Sequence, residues 1–241
     1  MRAVLYLPLS CLFASVIALV ACSSDPAPPE IDPGKETEEG GVTTEGGTID
    51  SNQSAAYPDG PYGYEMGQIV GDFLFSGLMN PKAVSYVADN TTLKPIALHD
   101  FYNPSNDPNR ARVMLMTWSA RWCSVCQTQA GGSAADSIPS AMEEYATWHP
   151  QRVEFMEAMF ENIDSDPAQP SDLAAWTKTY HFEFPSVLDS DLQSSGVTFN
   201  RSAAPYNMVI DLKYMKITYA KAGLFMPADA EAEFTSVLNS P

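Results

Sequence analysis

The chain has 241 residues, 45% of them hydrophobic and 18% charged, which suits one folded domain with extensions and excludes wholesale disorder, a collagen-like chain and a coiled coil. Its 13 basic and 30 acidic residues give a net charge of −17. A site that binds nucleic-acid phosphates needs clustered positive charge, so this composition argues against a nucleic-acid partner. Four cysteines are too few for a small fold built on disulfides.

The first residues have the composition of an export signal. Arg2 precedes an apolar run over residues 3–20, which leads into an L-V-A-C motif that ends at Cys22. This motif resembles the bacterial lipobox, and the resemblance implies removal of residues 1–21 and lipid attachment to Cys22. Because Ser23 rather than Asp follows, it also implies an exported lipoprotein on the periplasmic side, in the outer membrane. The alternative is an uncleaved anchor, since the run is just long enough to span a bilayer.

Residues 22–60 are predicted to form a solvated tether. They include nine acidic residues and one basic residue, Lys35, and much of the remainder is Gly, Pro, Ser and Thr. Such a segment cannot bury enough apolar surface to offset the entropy lost on ordering, and its like charges keep it extended. The chain therefore divides into a signal peptide over 1–21, a tether over 22–60 and one folded domain over 61–241.

The domain is predicted to begin with short strands and loops. Strands are predicted over residues 69–75 and 84–88, and residues 99–112, with Asn-Pro and Asp-Pro pairs, are predicted to form a loop. A continuous apolar run over residues 113–118 predicts a strand that is buried on both faces.

A helical stretch is predicted after this buried strand. It is interrupted at Gly131 and Gly132 and ends before Pro150, with Ser137 as a candidate cap for its second part. The later elements are a strand over 153–160, a helix over 171–180 capped by Ser171 or Asp172, an extended piece at 187–188, paired strands over 206–211 and 217–220, and a helix over 229–238. This order predicts an α/β fold with a mixed central sheet flanked by helices.

Cys123 and Cys126 lie where the buried strand is predicted to give way to a helix; the other two cysteines belong to the signal region. Unpaired N–H groups and the helix dipole at a helix start stabilise a thiolate, so the pKa of a cysteine there falls below its free value of about 8.5. Two intervening residues place the second sulfur one turn away, close enough for a disulfide. Such a pair can attack a partner's disulfide, hold a mixed disulfide and then resolve it.

Four motifs follow one another in the predicted domain: G-D-F at 71–73, V-M-L-M-T-W-S-A-R-W-C at 113–123, F-P-S-V-L-D at 184–189 and A-P-Y-N-M-V-I-D at 204–211. In this order they resemble the thioredoxin superfamily, and within it the membrane-tethered TlpA/ResA-like, or redoxin-type, branch. The resemblance implies a thioredoxin fold with an N-terminal extension. It also implies a thiol–disulfide oxidoreductase that needs no bound cofactor.

The resemblance assigns roles to individual residues. Cys123 is the attacking thiol, Cys126 is the resolving thiol, and the two form the redox-active disulfide. Pro205 is expected to be a cis-proline that faces this disulfide, while Ala204 offers backbone hydrogen bonds to a bound peptide. Trp122, which directly precedes Cys123, is expected to lie beside the disulfide and shape the docking surface. The expected partners are protein thiols and disulfides and an upstream dithiol donor or acceptor, and the protein is expected to be a monomer without a bound metal.

Acidic residues are missing at two positions where related proteins carry them. Thioredoxins have an Asp at the position of Thr117, and TlpA-like proteins often have a Glu at the position of Gln129. No acid is therefore evident to assist Cys126, which leaves the direction of the exchange open. Glu154 and Glu157, within the predicted strand over 153–160, are interpreted as surface or strand-edge charges.

Other functions remain open. The cysteines could form a structural disulfide, or the protein could be a binding module that carries copper with His181 as a distal ligand, although that copper site needs three residues between its cysteines. A zinc site needs a second set of ligands, and only three histidines are present. A thiol peroxidase needs Thr two residues before its reactive cysteine, where this chain has Arg121.

Overall fold

A computed structural model describes residues 56–195 and 203–241 of the chain. The predicted signal peptide, Cys22 and most of the predicted tether lie outside these residues. Tyr57, near the end of the predicted tether, packs against the domain, and its hydroxyl donates a 2.9 Å hydrogen bond to the carbonyl oxygen of Val70. No helix within the described ranges is both long and apolar enough to cross a membrane.

Seven strands form one mixed sheet, in the order β2-β1-β5-β4-β3-β6-β7. The strands are β1 (Leu74–Leu78), β2 (Lys94–Ala97), β3 (Val113–Ala120), β4 (Val153–Glu161), β5 (Ser186–Leu188), β6 (Tyr206–Asp211) and β7 (Lys216–Ala222). The α-helices of the described residues are α1 (Ser124–Gly131), α2 (Ala141–Trp148), α3 (Pro170–Thr179) and α4 (Pro227–Leu238). The predicted α/β fold with a mixed central sheet is confirmed.

Strand β3 lies near the centre of this sheet and leads directly to the cysteines. It pairs in parallel with β4 on one side and antiparallel with β6 on the other. All eight of its residues are buried. A strand enclosed on both faces and both edges needs mostly apolar residues, which explains the apolar run in the sequence; Thr117 and Ser119 are its buried polar residues.

Near the start of the domain one prediction is wrong and one strand was missed. Residues 84–88 do not form a strand: a 3-10 helix (Lys82–Val84) is followed by left-handed backbone at Ser85, with φ 54°, and at Tyr86, with φ 60°. Strand β2 was not predicted, because its first two residues are exposed and include Pro95. As an edge strand it tolerates a proline, which has no N–H to donate to a second neighbour.

Two helix caps also differ from the prediction. Helix α2 is capped by Ser140, whose Oγ accepts a 3.2 Å hydrogen bond from the Glu143 N–H while the Glu143 carboxylate accepts one from the Ser140 N–H at 2.7 Å. This reciprocal pair satisfies two N–H groups at the helix start. Ser137 instead lies in a turn with φ 56°. In α3, Asp172 is inside the first turn and accepts a 2.9 Å hydrogen bond from the Gln169 N–H.

A buried ion pair fixes the start of β3. Arg112 has only 1% of its side chain exposed, and its guanidinium contacts the carboxylate of Asp211 at the end of β6. Its second terminal nitrogen donates a 3.0 Å hydrogen bond to Oγ of Ser240. Because removing one partner of a buried pair leaves an uncompensated charge, this contact ties β3 to β6.

Arg112→Met should lower the free energy of unfolding by about 3 to 5 kcal/mol, because the carboxylate of Asp211 then remains buried without its partner. Arg110→Met is the matched control, since the Arg110 side chain is exposed and donates only to the carbonyl oxygen of Asp100. Urea unfolding followed by tryptophan fluorescence measures both variants. Equal effects in the two variants would show that the ion pair does not anchor β3.

Candidate functional site

The candidate site lies just after β3, where the chain turns into α1. Cys123 is the N-cap of this helix, and its Sγ accepts a 3.0 Å hydrogen bond from the backbone N–H of Cys126. A disulfide joins the two residues, with their Cα atoms 5.2 Å apart. The positive end of the α1 dipole and this N–H both favour negative charge on Sγ of Cys123 after reduction. At its other end α1 is capped by Gly132, whose φ of 77° suits a residue without Cβ.

The two sulfur-bearing residues differ in exposure. Cys123 has 3% of its surface exposed, whereas Cys126 has none. The intervening residues Ser124 and Val125 are exposed. Cys123 therefore has a small exposed area that a partner can approach, whereas Cys126 is enclosed.

The segment before β6 faces the disulfide. The peptide bond between Ala204 and Pro205 is cis, as the resemblance implies. The carbonyl oxygen of Ala204 lies 3.3 Å from Sγ of Cys123. Four of the residues singled out in the sequence, Cys123, Cys126, Ala204 and Pro205, are thus brought together.

Trp122 is held beside the cysteines by an acidic side chain. Its indole N–H donates a 2.8 Å hydrogen bond to Oε2 of Glu161 at the end of β4. The neighbouring Arg121 lies 2.6 Å from Oδ1 of Asp172. These contacts fix Arg121 and Trp122, the two residues that precede Cys123. They also pair the positive charge of Arg121 with the carboxylate of Asp172.

An uncharged polar network includes Thr117 and Gln129, the two positions at which the sequence resemblance implies acids. Oδ1 of Asn207 accepts hydrogen bonds from Oγ1 of Thr117 at 2.9 Å and from Nε2 of Gln129 at 2.7 Å. The Asn207 amide donates to the carbonyl oxygen of Gly223 at 2.7 Å, and the Phe225 N–H donates to Oε1 of Gln129 at 2.9 Å. The network ties β3, α1 and β6 together and carries no charge. Asn207 was not singled out in the sequence, although it is a polar residue inside an apolar strand.

The interpretation of Glu157 as a surface or strand-edge charge is wrong. Glu157 lies on β4 directly opposite Thr117 of β3 and has 4% of its surface exposed. Its Oε1 has no hydrogen-bond partner among the described residues. Burial raises the pKa of Glu157 to about 8. The Ser119 hydroxyl and the Trp176 indole lower this pKa by smaller amounts. Glu154, by contrast, is half-buried near the start of β4.

A cavity of about 40 Å³ lies between the sheet and helices α1, α2 and α4. The polar or titratable side chains that line it are Thr117, Ser119, Cys126, Gln129, Glu144 and Glu157. Such a volume is large enough for a water molecule. The buried cysteine of the disulfide and the buried carboxyl of Glu157 therefore line one cavity. No group of His, Cys, Asp and Glu side chains within the described ranges is arranged to hold a metal ion.

Solved structures support the fold. No family model and no curated protein matches the chain. A protein provisionally named thiol:disulfide interchange protein DsbE, from Chlorobium tepidum, is 18% identical with a TM-score of 0.50, over 73% of this chain and 100% of its own. One provisionally named a protein disulfide isomerase, from Bacteroides thetaiotaomicron, is 16% identical with a TM-score of 0.51, over 74% of this chain and 93% of its own. These similarities confirm the predicted thioredoxin fold.

The buried carboxyl of Glu157 generates a prediction about stability. Its pKa is higher in the folded protein, about 8, than its usual value of 4.5, so the folded state binds the proton more tightly. The free energy of unfolding should therefore decrease as pH rises from about 4.5 to about 8, by on the order of 4 kcal/mol from this group. Glu157→Gln should remove this decrease and be the more stable protein at pH 8.

Urea unfolding at several pH values between about 4.5 and about 8.5 covers the window set by linkage and measures the effect. The matched control is Glu231→Gln, because Glu231 is exposed on α4. This control should keep the wild-type dependence on pH. An unchanged slope in Glu157→Gln would contradict the assignment of the titration to Glu157.

Proposed function

We propose that the protein is an exported, lipid-anchored thiol–disulfide oxidoreductase that exchanges disulfides with protein partners through Cys123 and Cys126. The observation that carries this proposal is the disulfide at the start of α1, with its more exposed sulfur at the N-cap. The cis-proline segment faces the same sulfur. A structural disulfide explains this arrangement less well, since a bridge that closes so short a loop constrains the unfolded chain little.

The exchange begins at Cys123. In the reduced protein its thiolate attacks a sulfur of the partner's disulfide, which forms a mixed disulfide and releases one partner thiolate. The thiol of Cys126 then loses its proton and attacks Sγ of Cys123. This second step closes the Cys123–Cys126 disulfide and releases the other partner thiolate, so two electrons pass from the protein to the partner. The reverse sequence oxidises a partner dithiol.

Partner proteins are proposed to dock on the surface around Cys123. Trp122 is half-buried beside it, Val125 is exposed, and Ala204 is half-buried opposite. Because Cys123 has so little exposed surface, a partner must bring its sulfur close to this spot. The proteins from Chlorobium tepidum and Bacteroides thetaiotaomicron, whose names describe thiol–disulfide chemistry, support this kind of partner. The proposed working form is a monomer that exchanges electrons with an upstream dithiol or disulfide.

Cys123→Ser should abolish disulfide exchange, whereas Cys126→Ser should accumulate a mixed disulfide with its partner, because the resolving thiol is then absent. In the reduced wild-type protein, iodoacetamide should modify Cys123 well before Cys126. Mass spectrometry of the alkylated peptides and non-reducing gels measure these outcomes. Ser124→Ala is the matched control, because this exposed residue lies between the cysteines and supplies no sulfur. An inert Cys123 in the reduced protein would contradict the proposal.

The lipid anchor is proposed from the L-V-A-C motif alone, since Cys22 lies outside the described residues. A lipidated Cys22 would hold the folded domain to a membrane through the acidic segment up to residue 60, with two or three acyl chains as a stable anchor. Cys22→Ser should move the protein from the membrane fraction to the soluble fraction in a bacterial host. Cys11→Ser, which changes a cysteine within the signal region, is the control and should leave the protein with the membrane.

A further inference from the structure

Cys126 and Glu157 line the same buried cavity, and the resolving step requires that the thiol of Cys126 lose a proton. We infer that Glu157 accepts this proton when the disulfide forms and returns it when the disulfide is reduced. The inference rests on the proposed function, because it concerns the second step of that exchange. Glu157 on β4 would thus accept the proton that Thr117 and Gln129, which are not acids, cannot accept.

The register of the sheet directs Glu157 towards α1. Strands β3 and β4 run in parallel with Thr117 opposite Glu157, and side chains directly opposite one another point to the same face of a sheet. On that face, Oγ1 of Thr117 lies 3.3 Å from Nε2 of Gln129 on α1. Cys126 lies one turn before Gln129 on the same helix. The carboxyl of Glu157 is therefore on the side of the sheet that α1 covers.

The other polar groups beneath the disulfide are poorly suited to the task. Thr117, Gln129 and Asn207 bond to one another and cannot take up a proton near neutral pH. The hydroxyl of Ser119 cannot take up a proton near neutral pH either. Glu157 is the buried carboxyl among the side chains lining the cavity, and its Oε1 lacks a hydrogen-bond partner among the described residues.

The nearby helices and loops carry three other titratable or charged groups. Glu144 on α2 also lines the cavity, but it is half-buried and accepts a 3.0 Å hydrogen bond from the Trp148 indole. Tyr180, just after α3, has its pKa raised by burial and by the charge of Glu157. Arg121 influences Tyr180 but is ion-paired with Asp172. Strand β5 contributes only the Ser186 hydroxyl opposite Glu157.

The proton and the electrons balance in each direction. In the mixed disulfide, the Glu157 carboxylate takes the proton from Cys126, directly or through one water molecule in the cavity. The resulting thiolate attacks Sγ of Cys123, the new S–S bond forms, and the partner leaves as a thiolate with the electron pair. Glu157 is then protonated beside a neutral disulfide, in the state that its burial favours. On reduction the same proton returns to the leaving sulfur of Cys126.

Two-phase kinetics with a small aromatic disulfide, dithiobis(nitrobenzoate), separate the two steps. The reduced protein should release one coloured thiolate when Cys123 attacks and a second when Cys126 resolves the mixed disulfide. In Glu157→Gln the first phase should keep its rate, and the second should slow by roughly 100-fold at pH 7. The difference in second-phase rate between the wild-type protein and Glu157→Gln should become smaller as pH rises, because solvent then deprotonates Cys126. A variant that was slow only because its structure was disturbed would not regain its rate at high pH.

Two glutamine variants serve as controls. Glu154→Gln changes a carboxyl on the same strand that does not line the cavity, and Glu144→Gln changes the other carboxyl that does. Both should keep the wild-type second phase. A normal second phase in Glu157→Gln, or an equal loss in Glu144→Gln, would overturn the inference while leaving the proposed function intact. Absence of the first phase in the wild-type protein would instead overturn the proposed function.

A measurement on the wild-type protein makes the inference independent of how the variant folds. The rate of the second phase should rise as pH increases towards about 8, because the Glu157 carboxylate, the form that accepts the proton, then becomes the major form. The rate of the first phase should not follow the ionisation of Glu157. A second phase whose rate does not change between about pH 6 and about pH 8 would overturn the inference.

Discussion

The hydrogen bond from the Cys126 N–H to Sγ of Cys123 depends on the junction between a buried strand and a helix, and the rest of the site is arranged around that junction. Strand β3 is held on both edges by β4 and β6, so its end has a fixed position. Helix α1 begins there because Cys123 itself caps it. A side chain that caps a helix lies in the field of the unpaired N–H groups, and a cysteine in that position has a stabilised thiolate.

The interior beneath the disulfide combines a neutral network with one buried carboxyl. Asn207 links β3, α1 and β6 through hydrogen bonds, and it stabilises the packing without introducing charge. Glu157 costs stability whenever it is ionised, because its surroundings cannot replace the water that a carboxylate loses on burial. A residue with such a cost is a candidate for function, and its position in the cavity beside Cys126 indicates which function.

The central strands and the position of the cysteine pair at a strand–helix junction could be predicted from the sequence, because the signals for them are local. Strand β6 has the predicted bounds 206–211, and the cis bond before Pro205 agrees with the motif that contains it. The role of Glu157 could not be predicted in this way, since its burial results from strands and helices distant in sequence. One signal was available in the sequence. Both faces of β4 carry mostly apolar residues, so a glutamate in the middle of this strand cannot reach solvent on either side. Strand β2 was missed because an edge strand with Pro95 lacks the apolar pattern on which the prediction depends.

The reduction potential of the Cys123–Cys126 pair, measured by equilibration with glutathione or a dithiol buffer, tests the central claim most directly. A pair that exchanges disulfides with partners should lie between about −270 and −120 mV, the range of enzymes that carry out this chemistry. A potential below about −300 mV, typical of structural disulfides in exported proteins, would contradict the account.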